Sequence, residues 1–157
     1  MIGLLGYPVV ALALPHKNPK VNDFFDRQRN YCNVQVVSTN NVKSCFRHMA
    51  KGDIIAIVGD RDFFGKGERI EMQGHGCLLP PGPVRFALKG KAHLVPVFMI
   101  RDKKYSYRLV FSNAISPFKE SGLKTEKELL DECADVLGQY IWKYPEQWYM
   151  FGKFWVD

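Results

Sequence analysis

The chain has 157 residues, which fits one domain with a substantial core. With 46% apolar residues it is no disordered chain, and 22 basic against 16 acidic residues leave a net charge of +6. That balance suits an anionic partner such as lipid headgroups, an acidic carrier protein or nucleic acid, and no apolar run reaches the ~20 residues of a membrane-spanning helix.

Residues 9–14 are wholly apolar and predict a buried strand, with Pro8 at its entry. Asn18 and Pro19 then read as the N-cap and first turn of a helix. Its spacing puts Val21, Phe24, Phe25, Gln28 and Cys32 on one side as a buried stripe. Arg27 points away from the stripe and Arg29 lies on its flank, where an arginine reaches either a pocket wall or solvent. Residues 34–37 form a short strand, and Asn40 or Asn41 caps a second helix with Val42, Cys45, Phe46 and Met49 inside and Gly52 at its end. Residues 54–58 predict the central, buried strand, which runs into Gly59-Asp60-Arg61-Asp62-Phe63. Strand and helix alternating at this spacing imply a parallel sheet with right-handed crossovers.

Further on, residues 68–72 alternate as a short edge strand, and a short helix starts near Pro83 and stops at Gly90. Residues 94–100 read as a strand despite Pro96, so a bulge or an unpaired side is expected there. A turn at 101–104 leads into the alternating partner strand 105–111. Residues 113–122 are a mostly polar connection. Thr125 and Glu128 form a capping box for the longest helix, whose inner face carries Leu129, Leu130, Cys133, Val136, Leu137, Tyr140 and Ile141. Neither repeats nor linkers interrupt the chain, which is read as one α/β domain over 1–157, a mixed and mostly parallel sheet flanked by helices.

Several constellations invite chemistry. His48 and Asp53 match the His-x4-Asp spacing of glycerolipid acyltransferases, in which a histidine takes the proton of an acceptor hydroxyl. Here His48 is expected to face water, and Asp53 belongs to a helix-to-strand turn. His75 and Cys77 suggest a nucleophile pair, but they fall in a segment read as a flexible loop, a poor place for a fixed dyad. The scattered cysteines, Cys32, Cys45, Cys77 and Cys133, form neither a disulfide frame nor a metal site and suit a reducing compartment. Residues 64–67 carry two glycines and a lysine, a weak phosphate signal. Asp60 and Asp62 are either cation ligands or carboxylates whose hydrogen bonds set the shape of a loop.

The order of short motifs resembles the late acyltransferases of lipid A biosynthesis, the lauroyl and myristoyl transferases. Asn18-Pro19 with Arg29 is similar to that family's Asn-Pro … Arg helix, and Lys51-Gly52-Asp53-Ile54 followed by Asp60-Arg61-Asp62 to its Lys-Gly … Asp-Gln-Asp strand end. Pro81-Gly82-Pro83 with Ala87 resembles its Pro-Gly-Pro turn and helix, Leu94-Val95-Pro96-Val97 with Arg101 its Val-Pro-Val … Arg strand, and Pro145-Glu146-Gln147-Trp148 its closing motif. The likeness spans nearly the whole chain. The family's catalytic His-x4-Glu and its membrane-anchoring helix are expected upstream of Met1, so the chain is read as the carboxyl-terminal portion of such an enzyme.

The resemblance implies acyl transfer from an acyl-carrier-protein or coenzyme A thioester to a hydroxyl of an anionic glycolipid, at the cytoplasmic face of the inner membrane and with no metal or cofactor. It makes Arg29, Asp60, Asp62 and Arg101 the substrate-binding candidates, and assigns no catalytic residue within the chain. The aromatic and basic residues between Trp148 and Trp155 either lie at the membrane interface or pack on the sheet. The rival readings are a non-enzymatic lipid- or carrier-binding module and, from charge alone, a nucleic-acid-binding protein, which lacks the motif of a known module.

Overall fold

A computed structural model describes residues 1–156, and the chain divides into two compact units, the first Met1–Val58 and the second from Gly59 onward. In the first unit a parallel three-stranded sheet has the order β2-β1-β3, with β1 at Val9–Ala13, β2 at Val34–Ser38 and β3 at Ile54–Ala56. Val9 is level with Val34 on one side and Ile54 on the other, so all three strands share one carboxyl edge. Helices α1 (Pro19–Tyr31) and α2 (Val42–Ala50) make the crossovers, and Asn18 accepts from the Lys20 N–H at 3.0 Å to cap α1. Alternating strand and helix in this unit and antiparallel pairs in the other make the fold α/β.

Two expectations are corrected here. β3 is an edge strand rather than the central one, and Ile54 and Val58 are 43% and 73% exposed. An apolar run measures the capacity to be buried, but the place in the sheet decides how much neighbouring structure covers it. Helix α1 has no buried residue, and Phe24, Phe25 and Val21 stand exposed. Its least exposed positions between Pro19 and Tyr31 are Asn22, Asp26 and Arg29, a polar stripe at the i, i+4, i+7 spacing of one helical face.

The second unit starts with the hairpin β4 (Glu68–Met72) and β5 (His75–Leu79), whose register pairs Ile70 with Cys77. Gln73 and Gly74 both take positive φ, 53° and 81°, the two-residue turn that matches the twist of a hairpin. The segment expected to be a flexible loop is therefore ordered strand. Helix α3 (Gly82–Gly90) follows, then the hairpin β6 (Val97–Lys103) with β7 (Ser106–Phe111). Pro96 precedes β6 and its carbonyl accepts from Ser112 at 2.9 Å, which removes the conflict of a proline inside a ladder; the register shift lies instead between Arg101 and Lys103. The connection after β7 carries a small pair, β8 (Phe118–Lys119) with β9 (Gly122–Leu123).

Helix α4 (Glu126–Lys143) opens with the expected capping box. Thr125 Oγ1 accepts from Glu128 N at 3.2 Å and Glu128 Oε2 accepts from Thr125 N at 2.6 Å. The Lys119 ammonium and these Thr125 contacts hold the Glu128 carboxyl down to about 2. Buried Leu129, Leu130, Ala134 and Ile141 of α4 join Ile70, Met72, Cys77, Leu79, Val84, Ile115 and Phe154 in one apolar cluster. Gly138 lets α4 approach the hairpin closely: a Cβ there would lie 2.9 Å from side-chain carbons of both Met72 and Gln73. Among the described residues no helix is long and apolar enough to cross a membrane.

Candidate functional site

In the first unit the polar stripe of α1 meets the carboxyl edge of the sheet. Ala13, Leu14 and Pro15 from the end of β1, Val36 and Ser38 from β2, and Asn22 and Asp26 from α1 line a cavity of about 180 Å³. Ligands in open α/β sheets bind beyond this edge, and Asn22 and Asp26 supply polar atoms to an otherwise largely apolar wall.

The stripe is a ladder of hydrogen bonds. The His16 N–H donates to Asn22 Oδ1 at 3.1 Å, Asn22 Nδ2 to Asp26 Oδ2 at 2.8 Å, and Arg29 Nη1 to Asp26 Oδ1 at 2.8 Å. Side chains on a helix lean toward its N-terminus, so Arg29 reaches back one turn to Asp26. The Arg29 side chain is one-third exposed, and its guanidinium carbon lies 5.9 Å from the centre of the Phe25 ring. A guanidinium has five N–H donors in a rigid fork, so one fixed by Asp26 is aimed, and its remaining fork is suited to a phosphate or carboxylate. The helical spacing already sets Arg29 on the flank of the apolar stripe. It does not single out Asn22 and Asp26, because their spacing is also that of an ordinary solvated face. Arg27, expected to point away from the apolar stripe, stands with Phe24, Gln28, Tyr31 and Cys32 along a shallow open depression.

Asp60, Asp62 and Arg101 belong to the second unit. Asp62 sets a loop: its carboxylate accepts from Phe64 N at 3.0 Å and Gly67 N at 2.7 Å. Burial pushes this carboxyl up, but the backbone N–H groups of Gly67, Phe64, Lys66 and Gly65 outweigh it and leave the acid below the usual carboxylate range. Glycine allows close packing at both ends of the loop. A Cβ on Gly67 would lie 3.0 Å from Asp62 Oδ2, and one on Gly59 2.9 Å from the Pro83 ring. Arg61 lays its guanidinium over Phe63, 5.0 Å from the ring centre.

The segment 145–148 is a clamp. Gln147 Oε1 accepts from Arg101 N at 2.8 Å while its Nε2 donates to Arg101 O at 3.2 Å, the pattern of a neighbouring strand made by a side chain. The next residue, Trp148, donates its indole N–H to Asp60 Oδ2 at 3.2 Å. Adjacent side chains thus fasten the backbone of Arg101 and the carboxylate of Asp60. Beyond them, Phe154 is buried and the N–H of Val156 donates to Gly76 O at 2.9 Å, whereas Tyr149 and Phe151 are exposed, so this aromatic run both packs and projects.

The two rejected dyads fare differently. His48 does meet Asp53, contrary to expectation: Nδ1 and Oδ2 are 2.7 Å apart, both side chains are about four-fifths covered, and the Asp53 N–H donates to His48 O at 3.1 Å. Gly52 at φ 87° turns the chain back under the last turn of α2 and makes this contact. The pair precedes Ile54, which is level with Val9 at the start of β1, so it sits at the amino edge of the sheet, opposite the cavity. It locks the C-terminus of α2. Cys77 is fully buried and His75 packs beside Trp155, ring centres 5.5 Å apart, so no accessible Cys–His nucleophile results. Burial pushes the Cys133 thiol up to about 11, and no group of three His, Cys, Asp or Glu side chains among the described residues is placed to hold a metal.

A family profile described as "Bacterial lipid A biosynthesis acyltransferase" matches residues 3–156, almost the whole chain. The comparison with curated proteins gave no match.

Proposed function

Because the chain belongs to the bacterial lipid A biosynthesis acyltransferase family, we propose that it handles a fatty acyl thioester, borne by an acyl carrier protein or coenzyme A, for transfer to a hydroxyl of an anionic glycolipid. In this reading residues 1–157 work as one domain at the cytoplasmic face of the inner membrane, in peripheral contact with it. The observation that carries the proposal is the Asn22–Asp26–Arg29 ladder beside a cavity at the carboxyl edge of a parallel sheet. Arg29 receives a phosphate or the thioester end through charge-assisted hydrogen bonds, and Asp26 holds it in position. Asp60 and Asp62 shape the loop at 59–67, and Arg101 contributes a cation for anionic groups of the donor or acceptor.

In the transfer, a C–O bond to the acyl carbon forms and the C–S bond breaks. A base takes the hydroxyl proton and passes it to the departing thiolate, which leaves as the thiol. No residue of this chain is assigned as that base, since His48–Asp53 lies at the opposite edge from the cavity. That placement also favours a second reading, a donor-binding module without turnover.

Titration with an acyl-carrier-protein thioester, beside a transfer assay, tests both. Arg29→Ala is expected to weaken donor binding by about tenfold or more, the worth of a charge-assisted bond, and Arg29→Lys to restore part of it. His48→Ala is expected to leave both binding and any transfer unchanged. Donor binding indifferent to Arg29→Ala contradicts the site, and transfer abolished by His48→Ala contradicts the role given to that pair. Binding without turnover selects the module, and tight, steeply salt-dependent binding of DNA or RNA instead of the donor selects the basic-protein reading.

A further inference from the structure

We infer that the loop at 59–67 and the projecting residues of 149–153 form a docking surface for an anionic lipid bilayer. Phe63 and Phe64 are 56% and 62% exposed, and Tyr149 and Phe151 are 79% and 84% exposed. These aromatics are not on loose chain. Asp62 ties the backbone N–H groups of Phe64 and Gly67, Gly59 lies against Pro83, and Tyr149 and Phe151 meet edge to face with ring centres 4.5 Å apart. The Trp148–Asp60 hydrogen bond joins the two segments, so exposed aromatics follow directly on either side of one fixed contact.

Charge identifies the occupant. Both acids of the loop are turned to internal donors, Asp62 to backbone and Asp60 to the Trp148 indole. The bases Arg61, Lys66 and Lys153 are exposed, and Arg61 stacks on Phe63. Projecting rings flanked by cations, with Asp60 and Asp62 engaged by internal donors, match the headgroup zone of an anionic membrane: rings enter the interface while the cations stay with the phosphates. This surface deepens the membrane contact of the function proposed above and rests on it for the lipid setting alone.

Co-sedimentation of the full chain with two kinds of vesicle tests the assignment: phosphatidylcholine alone, and phosphatidylcholine with a minority of phosphatidylglycerol. The wild-type chain is expected to bind the anionic vesicles more tightly. The double variant Phe63→Ser/Phe64→Ser is expected to lose about tenfold in binding, and adding Tyr149→Ser/Phe151→Ser to remove most of the rest. Arg61→Gln/Lys66→Gln is expected to abolish the preference for anionic lipid while leaving the aromatic contribution. As a folded control that keeps the apolar surface, Phe63→Trp/Phe64→Trp binds at least as well as wild type. The assignment is overturned if the wild-type chain binds neither vesicle, or if the Phe63→Ser/Phe64→Ser variant binds like wild type. Donor binding separates the two proposals: Arg29-dependent donor binding with no vesicle binding overturns this surface alone, and vesicle binding without donor binding overturns the function alone.

Discussion

The two units bury opposite kinds of surface. In the second, α4 and the β4–β5 hairpin supply most of one packed cluster of buried apolar residues, and the polar contacts lie around that core. In the first, the buried apolar residues are few, Val9, Val10, Val37 and Cys45. There the longest helix turns asparagine, aspartate and arginine toward the sheet and leaves its phenylalanines exposed. A helix packed this way gains little from apolar burial, so hydrogen bonds to Asp26 fix its side chains while packing contributes less. The contrast teaches a division of labour: one unit is built for stability, and the other spends its inner helix face on positioning a cation.

Paired truncations should break or sharpen this contrast. The largest effect is expected for Leu129→Ala in α4, about 2–5 kcal/mol by urea denaturation, because it leaves a void in the second unit's core. The matching truncation Phe24→Ala on the exposed face of α1 is expected to stay within about 0.5 kcal/mol. Comparable losses at both sites would erase the contrast. Next, Gly138→Val should cost about 1–3 kcal/mol by forcing Met72 and Gln73 away from α4. A smaller cost, about 1 kcal/mol, is expected for Thr125→Ala, which removes the Oγ1 cap and one side of the capping box.

The smallest effect is a pH dependence. The Asp62 carboxyl is held below its ordinary value in the folded chain. The order it gives the 59–67 loop is therefore fully present above the unfolded carboxyl's pKa, about 4, and is lost as pH falls through the folded value. Limited proteolysis of the loop across the acid range should show cleavage rising at low pH. Asp62→Asn should show the higher cleavage at every pH, and an Asn variant with the wild-type pH profile would refute the role given to Asp62.

Much of this was legible in the sequence where local chemistry decides the outcome. The Thr125 capping box, the Asn18–Pro19 helix start and the turn at Pro81–Pro83 are set by residues within a few positions of one another. What was not legible depends on partners far along the chain. Periodicity in α1 groups Val21 with Phe24 and Phe25 correctly, but it does not say which face meets the sheet, and here the polar one does. Likewise the run 54–58 looks buried until its edge position is known. The β4–β5 turn was missed because Gln-Gly is a weaker hairpin signal than Asn-Gly, although Gln73 adopts the same positive φ. The closing motif could be recognised by resemblance, but not its work as a clamp, since Arg101 and Asp60 lie 46 and 88 residues from the side chains that hold them.

Hydrogen exchange followed by mass spectrometry, with and without an acyl-carrier-protein thioester, tests most directly that the first unit is where the donor acts. With the donor bound, protection should rise in residues 19–31 and at the end of β1, while α4 stays as protected as before; Arg29→Ala should remove the increase. Unchanged exchange in 19–31 at donor concentrations that saturate the protein would contradict the account.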